Sequence, residues 1–289
     1  MALKDKYVNP LTDFGFKKLF VYEPNKELLI DFLNQLLPDI HKIKDLTYAQ
    51  NEHLPSSEYD RRAIFDLYCT SEKGEKFIVE IQRAKQNYFK DRSVYYASFP
   101  IQSQAQKGDW DFKLAAVYTI GILDFVFEED KDDKDYIHTV QLKNQKNKVF
   151  YDKLTFIYIE LPKFEKNVEF LETQIEKWLF VFRHLAKLQE RPRALQEKIF
   201  NRLFAAAEIA KFSVEEKQIY EESLKYYRDL KNVVDTAIME GEIKGEIKGE
   251  IKGIIKGKIE VAKTMKGRGM DIKTIAEITG LSESEIEQL

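Results

Sequence analysis

Apolar positions along the chain follow two different periods, and the change of period divides the sequence into regions. Short apolar or alternating runs, typical of strands, occupy residues 43–50, 62–69, 77–82, 114–125, 137–142 and 154–160. Helical spacing occurs before and between these runs. It predicts a short helix capped by Thr12 or Asp13, a second helix over 25–37, and a third over 88–107 with a kink near Pro100.

From Val168 onward the apolar spacing is helical. We therefore expect an α/β domain over residues 1–162 and an all-helical region over residues 163–240. A repeat helix over residues 241–263 and a small helix-turn-helix-like tail over residues 264–289 complete the predicted organisation.

Residues 241–257 repeat the tetrapeptide Gly-Glu-Ile-Lys, with one Gly-Ile-Ile-Lys, and end on a glycine. On a helix, a period of four gives each residue type its own stripe. Like charges four residues apart, together with interior glycines, make such a helix unstable by itself. The isoleucine and glycine stripes allow close contact with a second helix, so we expect a homodimer or a higher homo-oligomer. A flexible low-complexity linker is the alternative.

The tail has the spacing of two short helices. The first contains Ile272 and Ile275 and ends at Gly280, and Ser282 with Glu285 has the capping-box spacing at the start of the second. The second helix is acidic, whereas DNA-reading helices usually present Arg, Lys, Asn or Gln to base edges. We interpret the tail as a packing or protein-contact module, with DNA reading as the alternative.

Two acids face each other across a predicted β-hairpin. A three-residue loop that ends at Gly74, in the left-handed conformation, sets Asp66 opposite Glu80. Directly opposed residues have Cβ atoms about 4.5–5.5 Å apart, so two carboxylates there repel each other unless a proton or cation lies between them. Strand alternation places Gln82 on the face of Glu80. The other face is apolar and is expected in the core; it contains Phe65, Leu67, Cys69, Phe77, Val79 and Ile81.

This polar trio predicts a site for a hard divalent cation with oxygen ligands. The alternative is an exposed sheet face with solvated acids, which the apolar character of both strands disfavours. The sequence contains no glycine-rich phosphate loop, and its four histidines are scattered without ligand spacing.

Composition narrows the possible partners. The 289 residues carry a net charge of −3, so any contact with nucleic acid depends on a local basic patch. The single cysteine provides neither a disulfide framework nor a zinc cluster. The first residues lack the apolar stretch of a signal peptide and no run of about 20 apolar residues occurs, so we expect a cytoplasmic protein without membrane contact.

Several charged and aromatic residues are further candidates for the site. Asp13 is either an additional acid near the metal or a helix cap, and Lys17 either approaches a phosphate or lies on a solvated helix face. A local basic patch and a stacking aromatic suit contact with a nucleic-acid backbone and bases. The candidates for DNA contact are Arg83, Lys85, Arg92 and Tyr96. A generic charged surface and an aromatic in the core are the alternatives.

Several blocks together resemble the Rpn family of recombination-promoting nucleases, also described as PD-(D/E)XK nuclease family transposases. The blocks are Asp13-Phe-Gly-Phe-Lys-Lys-Leu-Phe20, Phe65-Asp-Leu67, Glu80-Ile-Gln82 and Tyr95-Tyr96. The tetrapeptide repeat and the segment Ile275-Ala-Glu-Ile-Thr-Gly-Leu-Ser282 are similar to the C-terminal part of such proteins.

The resemblance implies a restriction-endonuclease-like fold, a mixed sheet flanked by helices, followed by an all-helical C-terminal region. It also implies DNA cleavage with Mg²⁺, for which Mn²⁺ can substitute. Asp66 and Glu80 correspond to the metal-binding acids, and Gln82 stands where lysine is usual. An uncharged amide can only orient water or a phosphate oxygen, so more of the catalysis falls on the metal.

We therefore expect a Mg²⁺-dependent DNA endonuclease that promotes recombination or transposition. The first alternative is a catalytically weak or inactive DNA-binding or regulatory protein that keeps the nuclease fold. The second is an assembly protein whose helices and repeat scaffold a partner.

Overall fold

The computed structural model describes residues 5–49, 52–53, 63–105 and 108–289. The chain divides into two compact units, Met1–Lys231 and Asn232–Leu289. Three parts of the predicted elements fall outside the described residues: Gln50 at the end of the first strand, Arg62 at the start of the second, and residues 106–107 at the end of the third helix.

The strands of the first unit are β1 (Leu46–Tyr48), β2 (Glu52–His53), β3 (Ala63–Ile64), β4 (Leu67–Ser71), β5 (Lys76–Gln82), β6 (Val117–Leu123), β7 (Ile137–Lys143) and β8 (Val149–Glu160). Within the described residues, six of them form one sheet in the order β1-β4-β5-β6-β8-β7, and β2 pairs with β3. Strands β5, β6 and β8 run parallel, and the remaining pairs are antiparallel.

The α-helices are α1 (Asp13–Phe16), α2 (Lys26–Leu36), α3 (Phe89–Gln102), α4 (Gln174–His184), α5 (Lys198–Ala207), α6 (Val214–Gly267), α7 (Ile272–Thr279) and α8 (Glu283–Glu287). A π-helical turn, Lys17–Val21, follows α1 directly. Short 3₁₀ turns occur at Glu23–Asn25, Asp39–His41, Glu128–Asp130, Leu161–Lys163, Val168–Phe170, Leu185–Lys187, Arg193–Leu195 and Ile209–Lys211. The expected mixed sheet flanked by helices, followed by a helical C-terminal region, is confirmed.

The β4–β5 hairpin has the predicted register. Gly74 has a φ of 91°, and the backbone N–H of Ser71 donates to the Glu75 carbonyl oxygen at 2.9 Å. Leu67 pairs with Val79. Asp66, which precedes Leu67, therefore lies beside Glu80, which follows Val79. Glycine is suited to the left-handed position because it has no Cβ to clash there.

One face of the sheet carries the main apolar core. The alternate residues Leu67, Phe77, Val79 and Ile81 are buried on this face, together with residues of α2, α4, α5 and the start of α6. Helix α4 begins with a complete capping box between Thr173 and Glu176, which satisfies backbone donors at its N-terminus. Trp178 of α4 is fully buried and donates its indole N–H to Asp31 at 2.7 Å.

Helix α3 covers the opposite face of the sheet, where its apolar residues pack against β6 and β8. Pro100 lies within α3, which ends two residues later at Gln102. Phe65 was predicted to share the main core with Leu67, and this is wrong: it packs with Tyr68 and Ile78 on the α3 side. The cause is the bend at Asp66, which is outside both β3 and β4 and interrupts the strand alternation.

The second unit contains the C-terminal part of α6 with α7 and α8. Ala262, Ile275 and Ile286 are buried together as a small core. Helix α7 ends at Gly280, whose φ is 68°, and Ser282 with Glu285 forms the predicted capping box of α8. The repeat isoleucines are about half exposed in this unit: Ile243 at 49%, Ile247 at 52%, Ile251 at 53% and Ile255 at 48%.

Candidate active site

Two hydrogen bonds hold Asp66 against the strand that carries Glu80. The backbone N–H of Asp66 donates to Glu80 Oε1 at 3.2 Å, and the backbone N–H of Ile81 donates to Asp66 Oδ2 at 2.7 Å. The bend at Asp66 turns its carboxylate toward the N–H group that follows Glu80. The hairpin thus holds both carboxyl groups next to each other on its own backbone.

Both acids are shielded from solvent, and this makes them harder to ionise. Burial, and secondarily the nearby Asp66 carboxylate, raise the pKa of Glu80 to about 8. Burial also raises the pKa of Asp66, against the opposing effects of the Ile81 N–H group and Arg83. Two adjacent acids with raised pKa values gain stability from a bound cation, because it neutralises both charges at once.

Gln82 is buried beside this pair, and both ends of its amide are bound. Its Nε2 donates to the Ala84 carbonyl oxygen at 2.9 Å, and its Oε1 accepts from Arg92 Nη2 at 2.5 Å. Arg92 also donates to Gln86 and lies over the Phe89 ring, 5.4 Å from its centroid. The Arg92 guanidinium group therefore lies next to Gln82, at the position where lysine is usual.

Arg92 and Tyr96 connect α3 to the acids. The Arg92 guanidinium carbon lies 5.8 Å from the centroid of the Tyr96 ring. Tyr96 packs edge-on against Phe65 at 5.3 Å. Burial, followed by the nearby Glu80 carboxylate, raises the pKa of the Tyr96 hydroxyl. Two of the predicted DNA contacts thus line the candidate site itself.

Asp13 and Lys17 lie at the margin of the site. They form an ion pair at 2.9 Å and each is about half exposed. The N-cap of α1 is Thr12, whose hydroxyl accepts from the Gly15 N–H at 3.0 Å, so Asp13 is in the first turn. Both charges act on Asp66, whose pKa Asp13 raises and Lys17 lowers.

The remaining basic candidates are engaged with neighbouring groups. Arg83 donates through Nε to the Leu11 carbonyl oxygen at 2.6 Å. Lys85 pairs with Glu128 at 3.4 Å, on the exposed segment that follows β6. Both partners of this ion pair are exposed, and exposed pairs open at little cost.

Sequence reasoning missed the polar residues that line the other side of the site. Thr119 and Tyr158 lie on β6 and β8, and Ser93 lies on α3; with Glu80 and Arg92 they line one small pocket. The available signal was the hydroxyl of Thr119 within an otherwise apolar run. Its proximity to Glu80 depends on the parallel pairing of β5 with β6, in which Glu80 is opposite Gly121.

The donor set fits a small divalent cation. Among the described residues, no three His, Cys, Asp or Glu side chains are grouped for metal binding, so the side-chain ligands would be two carboxylates. Mg²⁺ is typically bound through one or two carboxylates, with waters and substrate phosphates completing its octahedron. The pair is thus suited to a cation that also binds a phosphate group of the substrate.

The mixed six-strand sheet with flanking helices is consistent with the restriction-endonuclease-like fold of PD-(D/E)XK nucleases. Residues 10–237 match the family described as PD-(D/E)XK nuclease family transposase, and the chain belongs to this family. Residues 256–289 match the C-terminal HTH domain of the Rpn/YhgA-like nuclease family. This second match covers the end of α6 with α7 and α8 and indicates DNA binding.

No curated protein and no solved structure matches the chain significantly. In the part of the chain that the structure describes, no helix combines the length and the apolar character that a membrane span requires.

Proposed function

We propose that this protein is a Mg²⁺-dependent DNA endonuclease whose metal ligands are Asp66 and Glu80. Two hydrogen bonds carry the proposal, one from the Asp66 N–H to the Glu80 carboxyl group and one from the Ile81 N–H to the Asp66 carboxyl group, because together they hold the two acids next to each other on the hairpin. Mn²⁺ has similar ligand preferences and is expected to substitute. The bound cation would polarise the scissile phosphate and lower the pKa of an attacking water.

The residues of the chain then have separate roles. Asp66 and Glu80 hold the cation, and their raised pKa values fall when it binds. Arg92 keeps Gln82 in place through the 2.5 Å hydrogen bond, and its remaining N–H groups are placed to donate to a phosphate oxygen. Tyr96 limits water on the α3 side of the acids. Arg83, Lys85, Asp13 and Lys17 are proposed to contact the DNA backbone around the site or to adjust its charge.

Plasmid cleavage tests the proposal. Purified wild type is incubated with supercoiled DNA in Mg²⁺, in Mn²⁺ and in EDTA, beside Asp66→Asn and Asp229→Asn. Asp229 is an exposed acid on α6 and controls for the loss of one carboxylate. We expect nicked or linear DNA from the wild type and the control with either metal, and none from Asp66→Asn. Cleavage by Asp66→Asn that equals the control would show that the metal site lies elsewhere.

A second copy of the chain is proposed to bind along the repeat helix, which would supply two active sites for the two DNA strands. The half-exposed isoleucine stripe, Ile243 to Ile255, supports this, since burying it against a partner removes apolar area from water. Sedimentation analysis of Ile247→Glu/Ile251→Glu should show loss of the dimer. Phe170→Glu changes an exposed apolar residue outside the repeat, 66% exposed, and should stay dimeric. A monomeric wild type would contradict this part.

The hydrogen bonds of the Gln82 amide favour one alternative function, a DNA-binding or regulatory protein with weak or no cleavage. Both ends of its amide are bound to Ala84 and Arg92, so it offers less to a water or phosphate than lysine does. Such a protein would bind DNA equally in Mg²⁺ and EDTA, equally as wild type and Asp66→Asn, and would cut none of the substrates. A role in recombination or transposition follows from the family and is tested by recombination frequency in cells expressing wild type or Asp66→Asn.

A further inference from the structure

A small pocket lies between α3 and the sheet, directly against Glu80. Its volume is about 10 Å³, counted as the space open to the centre of a water molecule. Space of that size accommodates one water, provided that polar groups bind it. Thr119, Ser93, Tyr158 and Arg92 line the pocket together with Glu80.

Gly121 creates this space. It pairs with Glu80 on one side and with Tyr158 on the other. A Cβ atom at Gly121 would lie 3.1 Å from Tyr158 Cδ1 and 3.5 Å from Phe89 Cζ. A side chain here would therefore be tight against the Tyr158 ring and in ordinary contact with Phe89, whereas the glycine leaves room beside Glu80.

The hydroxyl of Thr119 is the unusual group in this pocket. Thr119 is 2% exposed, and within the described part of the chain its Oγ1 has no hydrogen-bond partner. Buried hydroxyls nearly always have a partner, either in the protein or in an ordered water. Thr119 lies opposite Ile78 in the β5–β6 register, so it is on the same face as Glu80 and two residues before Gly121.

The neighbouring hydroxyl groups determine what the pocket can bind. Ser93 donates its proton to the Lys90 carbonyl oxygen at 2.7 Å. The proton in the 2.6 Å contact between Ser93 and Tyr158 must then come from Tyr158, so its oxygen keeps a lone pair as an acceptor. The pocket thus offers the Thr119 hydroxyl as a donor and two acceptors, the Tyr158 oxygen and an oxygen of the Glu80 carboxyl group. This set complements a water, which donates twice.

We propose that one ordered water occupies this pocket, accepts a hydrogen bond from Thr119 and donates to Tyr158 and to an oxygen of the Glu80 carboxyl group. Thr119 is thereby a positioning residue for Glu80, and this role rests on the metal-binding function proposed above. The water fixes the carboxylate in the orientation that binds the cation, as hydrogen-bonded partners of metal ligands commonly do. Thr119 itself touches neither the cation nor the DNA.

Crystal structures of the metal-free full chain test the water directly. We expect density for one water within hydrogen-bond distance of Thr119 Oγ1 and a Glu80 oxygen, and its loss in Thr119→Val, which keeps the side-chain shape without the hydroxyl. A wild-type pocket without density at a resolution that shows other buried waters would overturn the proposal. So would a Thr119 hydroxyl that donates to a backbone carbonyl.

Mn²⁺ binding, followed by electron paramagnetic resonance, tests the positioning role without relying on cleavage. We expect Thr119→Val to weaken Mn²⁺ affinity roughly 10-fold, the lower end of such effects, and Thr119→Ser to restore it. Thr155→Val is the matched control. It removes the hydroxyl of a buried strand threonine, 3% exposed, that accepts from Gln141 at 3.2 Å, and it should leave the affinity unchanged.

Two outcomes separate this inference from the proposed function. If the wild type and Thr119→Val bind Mn²⁺ with equal affinity and Glu80→Ala does not bind it, the metal site stands and only the role of Thr119 is overturned. A wild type that does not bind Mn²⁺ would overturn the metal site and the positioning role together.

Discussion

Replacing Glu80 by glutamine should make the metal-free protein more stable while abolishing its metal site. In the wild type, Glu80 faces the Asp66 carboxylate as well as Arg92 and Tyr96, and burial with this acid neighbour raises the pKa of Glu80 to about 8. A neutral amide of nearly the same shape is uncharged beside Asp66 without having to take up a proton. The site would then be a case in which function is maintained at the expense of folding stability.

The magnitude follows from proton linkage. The folded protein holds a proton on Glu80 that the unfolded chain releases, so stability falls as pH rises from the ordinary pKa of 4.5 to about 8, and then stays level. At pH 7, the pH is about 2.5 units above the ordinary pKa of 4.5, and at roughly 1.4 kcal/mol per unit the cost to stability is about 3.5 kcal/mol. Burying the glutamine N–H groups offsets about 1 kcal/mol. We expect a net gain of about 2.5 kcal/mol at pH 7.

Urea unfolding in EDTA at pH 5, 7 and 8 provides the assay. Tryptophan fluorescence reports on the first unit, because Trp178 is fully buried in its main core. The advantage of Glu80→Gln should increase from pH 5 to pH 8, and saturating Mn²⁺ should reduce it by stabilising only the wild type.

Glu72→Gln is the matched control for this measurement. Glu72 is an exposed acid that accepts backbone N–H groups from Lys44 and Asp45 at 3.1 and 3.2 Å. These hydrogen bonds lower its pKa, so this variant should gain no stability at any of the three pH values. A Glu80→Gln protein that is no more stable than the wild type at pH 8, or whose advantage does not depend on pH, would refute the electrostatic argument.

Three further predictions concern single side chains. Gln82→Lys should lower the free energy of unfolding by about 1–2 kcal/mol, because the new ammonium group would lie beside the Arg92 guanidinium, which now donates to Gln82 at 2.5 Å. Thermal unfolding should show that the double variant Gln82→Lys/Arg92→Gln recovers this loss. A melting temperature of Gln82→Lys equal to that of the wild type would contradict the prediction. Thr12→Ala should cost about 1 kcal/mol in urea unfolding through loss of the α1 cap, whereas Thr12→Ser should remain near wild type; equal losses in both would point to packing. Cys69 is fully buried and burial raises its pKa, so a thiol reagent at pH 8 should label it only in denaturant, and rapid labelling of the native protein would contradict its burial.

The sequence alone determined features that depend on neighbours along the chain. The β4–β5 hairpin, with Gly74 in its loop, sets the register that brings Asp66 beside Glu80. The capping box of Ser282 and Glu285 marks the start of α8 in the same way. Such features are predictable because loop length, strand alternation and helix caps involve residues a few positions apart.

Tertiary structure decided the parts of the site that bring distant segments together. The packing of α3 on the sheet places Arg92, a predicted DNA contact, against Gln82. The pocket at Glu80 depends on Thr119, which reaches the site because β6 runs parallel to β5. The bend at Asp66 turns Phe65 toward α3, against the alternation of its strand. Contacts of this kind depend on which faces pack together, and the local pattern of apolar and polar residues does not specify that.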